Sequence, residues 1–391
     1  MNINNIKTDT GKKYTLIIFI ISAFSVLLSF YYIHSSGVIP ESYGHDEGNY
    51  IAMAERMITE GYYSYSGAAP DAYVSPGYPV FLFLCFKAFG LGYSGVLAAK
   101  ILQVIMFAAV VAMTYSLGRA ITGSGSAGTA AAILIACNTH FYSYVSALLT
   151  EIPFLFFMLA FCLAFCKAVT ADKWPLHAVS GVLLACAVML RPALVVVIIF
   201  IYIPYIAQHI KAGRKCAVTW FFVFLAGFAV VCLPWWVRNL VVLGEFIPFA
   251  TQSNAVYQGL ARNMASSELP ELESRVEYFS VFIGLLKANP KETITWMTIG
   301  KFYELFIQEE GTSLFDLLGA TVTAATVLIG NVGIIRGLAE KKLRVYTIAL
   351  LVYVALTFLV GPVRRYALPF LPFFAIASGW VIISAVKYNR A

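Results

Sequence analysis

The chain has 391 residues, 60% of them hydrophobic and only 12% charged, with a formal net charge of +7 and a mean hydropathy of +0.79. Such values exclude a soluble globular domain and define an integral membrane protein. The positive balance does not indicate nucleic acid, because the basic residues flank apolar segments instead of forming a basic patch interleaved with aromatics on a soluble surface.

The first apolar run, residues 14–33, follows Lys7, Lys12 and Lys13. Its positive flank is that of a signal peptide, but it is too long for a signal h-region, and the following HSSGVIP offers no small-x-small cleavage site. It reads as a retained transmembrane helix. Further apolar stretches at 97–118, 126–144, 147–168, 174–190, 191–209, 217–237, 315–335, 345–361 and 366–386 bring the expected spans to ten. With the N-terminus inside, the short inside segments hold 15 of the 27 basic residues but only three of the 20 acids. The positive-inside rule then predicts a multi-pass protein of the plasma or inner membrane with both termini cytoplasmic. Two extracytoplasmic segments remain, about 34–96 and 238–314.

The stretch 75–90 is not counted as a span, since its apolar core is far shorter than the ~20 residues needed to cross. Pro76 and Pro79 open it and Lys87 closes it, so a helix lying in the outer interface is expected. In the second outer segment Val276, Phe279, Phe282, Ile283 and Leu286 recur at helical spacing. Asn289 and Pro290 read as the N-cap and N1 of a further helix bearing Ile294, Met297, Phe302, Leu305 and Phe306. With no internal repeat and no low-complexity linker, residues 1–391 are expected to form one membrane domain. All seven cysteines lie in apolar runs without CxxC spacing, which predicts neither disulfides nor a structural zinc.

The stretch GHDEGNYIAMAERMITEG places Asp46 and Glu47 at the head of an amphipathic helix with Tyr50, Met53, Ala54, Met57 and Ile58 on one face and Gly61 as its stop. Two readings stand for the acids. They cap the helix, worth ~1 kcal/mol each, or they belong to a site. Other charges fall at the same expected membrane face: Glu151 heading the fourth span, Arg191 between the fifth and sixth, Arg238 ending the seventh, Arg364 and Arg365 between the ninth and tenth. A charge at a membrane helix centre costs about 2.5 to 3.5 kcal/mol, so charges that converge near hydrocarbon face a polar cavity. Arginines suit a departing phosphate, and a carboxylate suits removal of a hydroxyl proton. His45 and His140 have no ligand spacing, so no metal is expected. Tyr62, Tyr63, Tyr65 and Tyr73 are candidates for stacking on a sugar ring, although aromatic enrichment at a membrane interface accounts for them equally.

The acid pair, the helix after it, a P..P element, a TE opening a later span, an RP turn, PWWVRN and RRYALPFLP resemble, in this order, the GT-C glycosyltransferases of family 39, the protein O-mannosyltransferase and aminoarabinose transferase type. The resemblance runs from about Tyr14 to Trp380. It implies an all-α polytopic GT-C fold with about ten spans and interfacial helices in two extracytoplasmic loops. It also implies an inverting transfer of a sugar from a polyprenyl-phosphate donor to a hydroxyl acceptor of the cell envelope, with no cofactor and no essential metal. Carried over by motif, Asp46 becomes the catalytic base, Glu47 its neighbour in acceptor or donor binding and Glu151 the second acid of the cavity, while the residues themselves leave open whether Asp46 or Glu47 takes the proton. Arg191, Arg238 and Arg365, with Tyr366, become the donor-binding set. The P..P element lacks the acid and lysine of aminoarabinose transferases, and no large soluble domain follows the last span. The alternative is a transporter or flippase of lipid-linked or anionic substrates, which ordinarily shows inverted repeats and broken helices at mid-membrane.

Overall fold

The apolar runs fold as helices, and among the described residues there is no strand. The computed structural model describes residues 3–40, 44–211, 216–252, 275–307, 313–340, 344–358 and 363–388. The last residues of the expected span 345–361 lie outside them, as do the side chains of His45, Val276 and Phe279.

In chain order the helices are α1 (Ile3–Ser36), α2 (His45–Thr59), α3 (Gly77–Phe89), α4 (Tyr93–Thr122), α5 (Gly125–Ala136), α6 (His140–Ser146), α7 (Glu151–Ala171) and α8 (Trp174–Leu190). A 3-10 turn, Pro192–Val196, leads into α9 (Val197–Lys211), followed by α10 (Cys216–Leu243) and α11 (Arg275–Ala288). Next come α12 (Pro290–Thr295), a π turn Trp296–Gly300, and α13 (Lys301–Phe306). The last are α14 (Leu314–Ala339), α15 (Arg344–Thr357) and α16 (Leu371–Tyr388), the last entered through 3-10 turns Arg364–Tyr366 and Leu368–Phe370.

Each of the ten expected spans contains helix, and among the described residues seven helices are long and apolar enough to cross a membrane. The others are short: α8 has 17 residues and α15 has 14. The stretch 126–144 departs from the single helix expected. It stops after the 12 residues of α5, about 18 Å of helix, and restarts as α6. Asn138 and Thr139 cause the break. The Asn138 side chain accepts from the His140 N–H (3.2 Å) and donates to Thr323 (2.8 Å), while the Thr139 hydroxyl donates to the Phe315 carbonyl (2.5 Å). Short polar side chains that bond backbone locally and across to α14 outcompete the helical ladder.

The chain breaks again after α6, and that second break is held by α4. Gln103, fully buried in that helix, donates to the carbonyls of Val145 (3.0 Å) and Ala147 (2.7 Å) and accepts from the Tyr78 hydroxyl of α3 (3.0 Å). A buried amide that satisfies orphan carbonyls at a helix end removes a penalty of about 1 to 3 kcal/mol per group. Lys100, one turn earlier, donates to the Gly37 carbonyl beyond α1 at 3.1 Å. Close packing between α8 and α10 rests on Gly181 and Gly227: a Cβ on Gly181 would lie 2.1 Å from the Phe224 carbonyl oxygen, and one on Gly227 2.3 Å from that of Ala178. Small residues let membrane helices approach this closely.

The helices expected in the second outer segment are present as α11 to α13. The new helix does begin at Pro290 after Asn289, but the Asn289 side chain makes no capping bond. Helix α3 has 13 residues, too short to span, with Tyr78, Leu82, Cys85 and Phe86 buried.

Candidate active site

Helix α2 begins at His45 with Gly44 as its N-cap, and the local capping work falls to Glu47, whose Oε2 accepts from the Gly44 N–H at 3.3 Å. The second oxygen of Glu47 reaches across the fold and accepts from the Leu148 N–H at 2.7 Å. That amide stands just past the break between α6 and α7, so Glu47 joins α2 to the start of α7. Asp46 Oδ2 pairs with Arg365 Nη1 at 2.5 Å.

Arg365 arrives through the 3-10 turn after α15 and lies between two acids, with its Nε 3.9 Å from Glu151 Oε1. Glu151, the first residue of α7, is 1% exposed and pairs with Arg191 Nη2 at 2.7 Å. Arg191 interrupts the chain between α8 and the next 3-10 turn with extended backbone, because Pro192 disfavours helix at the residue before it. Its Nε also donates to the Thr150 hydroxyl at 3.4 Å. The ring of Tyr366 lies against both guanidinium groups, 5.4 Å from that of Arg191 and 5.3 Å from that of Arg365. Phe154 covers Arg191 from another side at 5.4 Å. Two arginines, two acids and one aromatic plate thus form a continuous cluster, Asp46–Arg365–Glu151–Arg191.

Tyr50, one turn along α2 from Asp46, completes this wall. Burial and the neighbouring Asp46 and Glu151 carboxylates push its phenol up, while Arg365 and Arg191 pull it down. It therefore stays a neutral hydrogen-bonding group, and its ring packs edge-on against Tyr78 at 5.2 Å.

Of the residues singled out in the sequence, the structure brings together Asp46, Glu151, Arg191, Arg365 and Tyr366, with Glu47 one position along α2 and turned to helix anchoring. Arg238 is not brought to them. It donates to the carbonyls of Asp71 (2.7 Å) and Tyr63 (2.9 Å) and to Asn239 Oδ1 (2.9 Å), and lies between the rings of Tyr63 and Trp235 at 5.5 and 5.2 Å. It fastens the first outer segment to α10. Arg364 is buried, 8% exposed, beside its neighbour. His140 packs its ring against Gly319 of α14. Tyr50, Thr150 and the Leu148 amide were missed. Tyr50 left a signal as an aromatic four residues after Asp46 and Thr150 as part of the TE motif, whereas the Leu148 amide left none.

An apolar cavity of about 530 Å³ lies among α4, α7, α14, α15 and α16. Its lining runs from Thr122 and Thr170 at helix ends to Tyr353 and Leu194, the latter three residues past Arg191.

Residues 74–237 match the sequence profile of the dolichyl-phosphate-mannose-protein mannosyltransferase family. No curated protein matches the chain by sequence. Among solved structures, the archaeal oligosaccharyltransferase AglB from Archaeoglobus fulgidus, in complex with an inhibitory peptide and a dolichol-phosphate, is similar with a TM-score of 0.59 at 16% identity, over 97% of this chain and 51% of that one. The Archaeoglobus fulgidus oligosaccharyltransferase complexed with Zn and sulfate gives 0.60 at 16% identity, over 95% and 49%. ArnT from Cupriavidus metallidurans bound to undecaprenyl phosphate gives 0.52 at 12% identity, over 98% and 62%. The chain spans about half the length of the oligosaccharyltransferases it resembles. These likenesses establish the fold: an all-α, multi-pass membrane protein of the GT-C type, as the sequence resemblance implied.

Proposed function

We propose that the protein is an integral-membrane glycosyltransferase that moves a sugar from a polyprenyl-phosphate donor to a hydroxyl acceptor of the cell envelope, with inversion. The observation that carries this reading is Arg365, which bridges Asp46 and Glu151 while Arg191 shares the same glutamate and the same tyrosine ring. In this reading both termini are cytoplasmic and the cluster faces the extracytoplasmic side, where acids outnumber the basic residues.

A donor phosphate recruits Arg365 and Arg191, whose forked N–H groups suit its oxygens. As Arg365 turns toward phosphate it leaves Asp46 Oδ2 to the acceptor hydroxyl. The acceptor oxygen bonds to the anomeric carbon from the face opposite the phosphate. The carbon–oxygen bond to phosphate breaks with its electron pair going to the phosphate oxygen, and the hydroxyl proton passes to Asp46. The arginines stabilise the charge that develops on the leaving phosphate. Glu151, held at Thr150 and Arg191, keeps both cations in place, and Glu47 holds the head of α2 against α7. The apolar cavity near Leu194 and Tyr353 provides room for part of an isoprenoid chain.

The match to the mannosyltransferase profile over residues 74–237 and the resemblance to ArnT bound to undecaprenyl phosphate support the same reading. The charged cluster gathers at helix starts and turns, which favours a transferase over a transporter with a mid-membrane site. The test is to incubate proteoliposomes with undecaprenyl phosphates bearing radiolabelled mannose, glucose, galactose or arabinose, together with cell-envelope extract. Passage of label into the acceptor fraction with release of undecaprenyl phosphate is expected. Flux of a labelled lipid across the bilayer with no transfer would establish the transporter instead.

A further inference from the structure

The four tyrosines of the first outer segment differ in their partners. Tyr63 is buried, with its hydroxyl donating to the Val74 carbonyl at 2.9 Å and its ring packed edge-on against Trp235. Tyr62 donates to the Gly67 carbonyl at 3.1 Å. Tyr65 and Tyr73 remain half-buried, paired at 4.7 Å between ring centroids with 38° between their planes. The Tyr65 hydroxyl accepts from Asn49 Nδ2 at 2.7 Å. Asn49 lies one helical turn beyond Asp46 on α2, so the two side chains share a face. Partial burial, and after it the charge of Asp46, pushes the Tyr65 phenol up, while the bond from Asn49 pulls it down.

This pair stands on a built support. One carboxylate, Asp71, orders both backbones: its Oδ2 accepts from the N–H groups of Tyr65 (2.8 Å) and Ser66 (3.1 Å), and its Oδ1 from that of Tyr73 (3.2 Å). Arg238 in turn holds the Asp71 and Tyr63 carbonyls, and the Gln252 N–H donates to the Tyr73 carbonyl at 2.9 Å. An acid and an arginine are thus committed to fixing two partly exposed aromatic rings at the edge of the core. Rigid aromatic faces with a phenol and an amide beside them match a ligand with C–H faces and equatorial hydroxyls.

We propose that Tyr65 and Tyr73, with Asn49, form a sugar-ring subsite beside Asp46. Its ligand is a pyranose or furanose ring lying on the aromatic pair with a hydroxyl toward Asn49 and the Tyr65 phenol. The ring belongs to the acceptor, whose hydroxyl then meets Asp46, or to the donor. The former makes the acceptor a glycan or glycolipid. The inference rests on the transferase reading only for the molecule that brings the ring.

The experiment is saturation-transfer NMR on the full chain in nanodiscs, with methyl glucoside, methyl mannoside and methyl arabinoside as probes and N-acetylserinamide as the ringless control. At least one glycoside should give ring-proton signals that the serine amide does not. Tyr73→Leu and Tyr65→Leu should each weaken binding roughly two- to tenfold, the worth of an aromatic contact. Thermal stabilisation by bare undecaprenyl phosphate should be unchanged in both variants, which shows that they are folded. The source of the ring follows from comparing bare with sugar-bearing undecaprenyl phosphate. If the extra stabilisation from the sugar disappears in Tyr73→Leu, the ring is the donor's; if only the glycoside signals disappear, it is the acceptor's. The subsite is overturned if no glycoside and no donor sugar is sensed in the wild type, or if both are sensed equally by the leucine variants. Failure of undecaprenyl phosphate to bind the wild type would instead remove the transferase reading and leave the glycoside result to stand alone.

Discussion

Arg365 Nη1 lies 2.5 Å from Asp46 Oδ2, joining residues 319 positions apart in the chain. The pair links the first outer segment to the turn before the last helix, and through Glu151 it extends to the start of α7 and to Arg191. In the proposed function this pair joins the proposed base to a proposed phosphate-binding arginine, so that phosphate binding rearranges the two.

Glu151 is the hub of this cluster, and its removal exposes what it holds. Glu151→Ala leaves Arg191 in a largely buried position without its partner, a defect worth about 3 to 5 kcal/mol for fully buried pairs and somewhat less here, where Arg191 keeps some exposure. Thermal unfolding should show that loss. The double variant Glu151→Met with Arg191→Met should recover most of the stability but not binding of undecaprenyl phosphate. Recovery of both would show that the pair is structural only.

Arg238 was expected at the donor phosphate, and its bonds to the Tyr63 and Asp71 carbonyls point elsewhere. Arg238→Ala should speed hydrogen exchange across residues 63–73 while undecaprenyl phosphate binding stays near the wild-type value. Loss of lipid binding with unchanged exchange would return Arg238 to the donor site.

Lys301 in α13 is fully buried and donates to the Phe358 carbonyl, and burial lowers its ammonium to about 8. Between about pH 8 and 10 the unfolded chain still carries this proton while the folded chain has released it, so stability rises with pH across that window. Below pH 8 both states are protonated and the group adds no slope. Unfolding midpoints measured from pH 7 to 10 should show this rise in the wild type and lose it in Lys301→Met.

Two glycines make a matched pair. Gly181→Ala would place its Cβ 2.1 Å from the Phe224 carbonyl and should disrupt the contact of α8 with α10, whereas a Cβ on Gly284 in α11 meets nothing within 4 Å. Gly284→Ala should be neutral or stabilise by about 0.5 to 1 kcal/mol, since glycine is a poor helix interior residue. Equal thermal stability of the two variants would contradict the close helix approach.

Much of this architecture was readable from local pattern. Apolar runs of spanning length and the polar-to-apolar alternation after Gly44 place α1, α2 and most of the bundle, because these signals act within a few turns. The break at Asn138 and Thr139 was not, because the partners that outcompete the helix, Thr323 and Phe315, lie far along the chain. The same holds for the acids. Both Asp46 and Glu47 suit a helix start, and sequence left open whether they cap the helix or belong to a site. The division of labour depends on Leu148 and Arg365, which tertiary structure alone supplies. Arginines were harder still: charge near the membrane face marked Arg191, Arg365 and Arg238 alike, but backbone carbonyls are invisible as partners in a sequence.

The most direct test of the account is single-turnover transfer in proteoliposomes with the labelled undecaprenyl-phosphate sugar that the wild type uses best, comparing wild type with Asp46→Asn. The variant should bind bare undecaprenyl phosphate and transfer sugar about 10² to 10⁴ times more slowly, the usual worth of a positioned base. Transfer at the wild-type rate by Asp46→Asn would contradict its role as base, and absence of transfer from every donor by the wild type would contradict the proposed function itself.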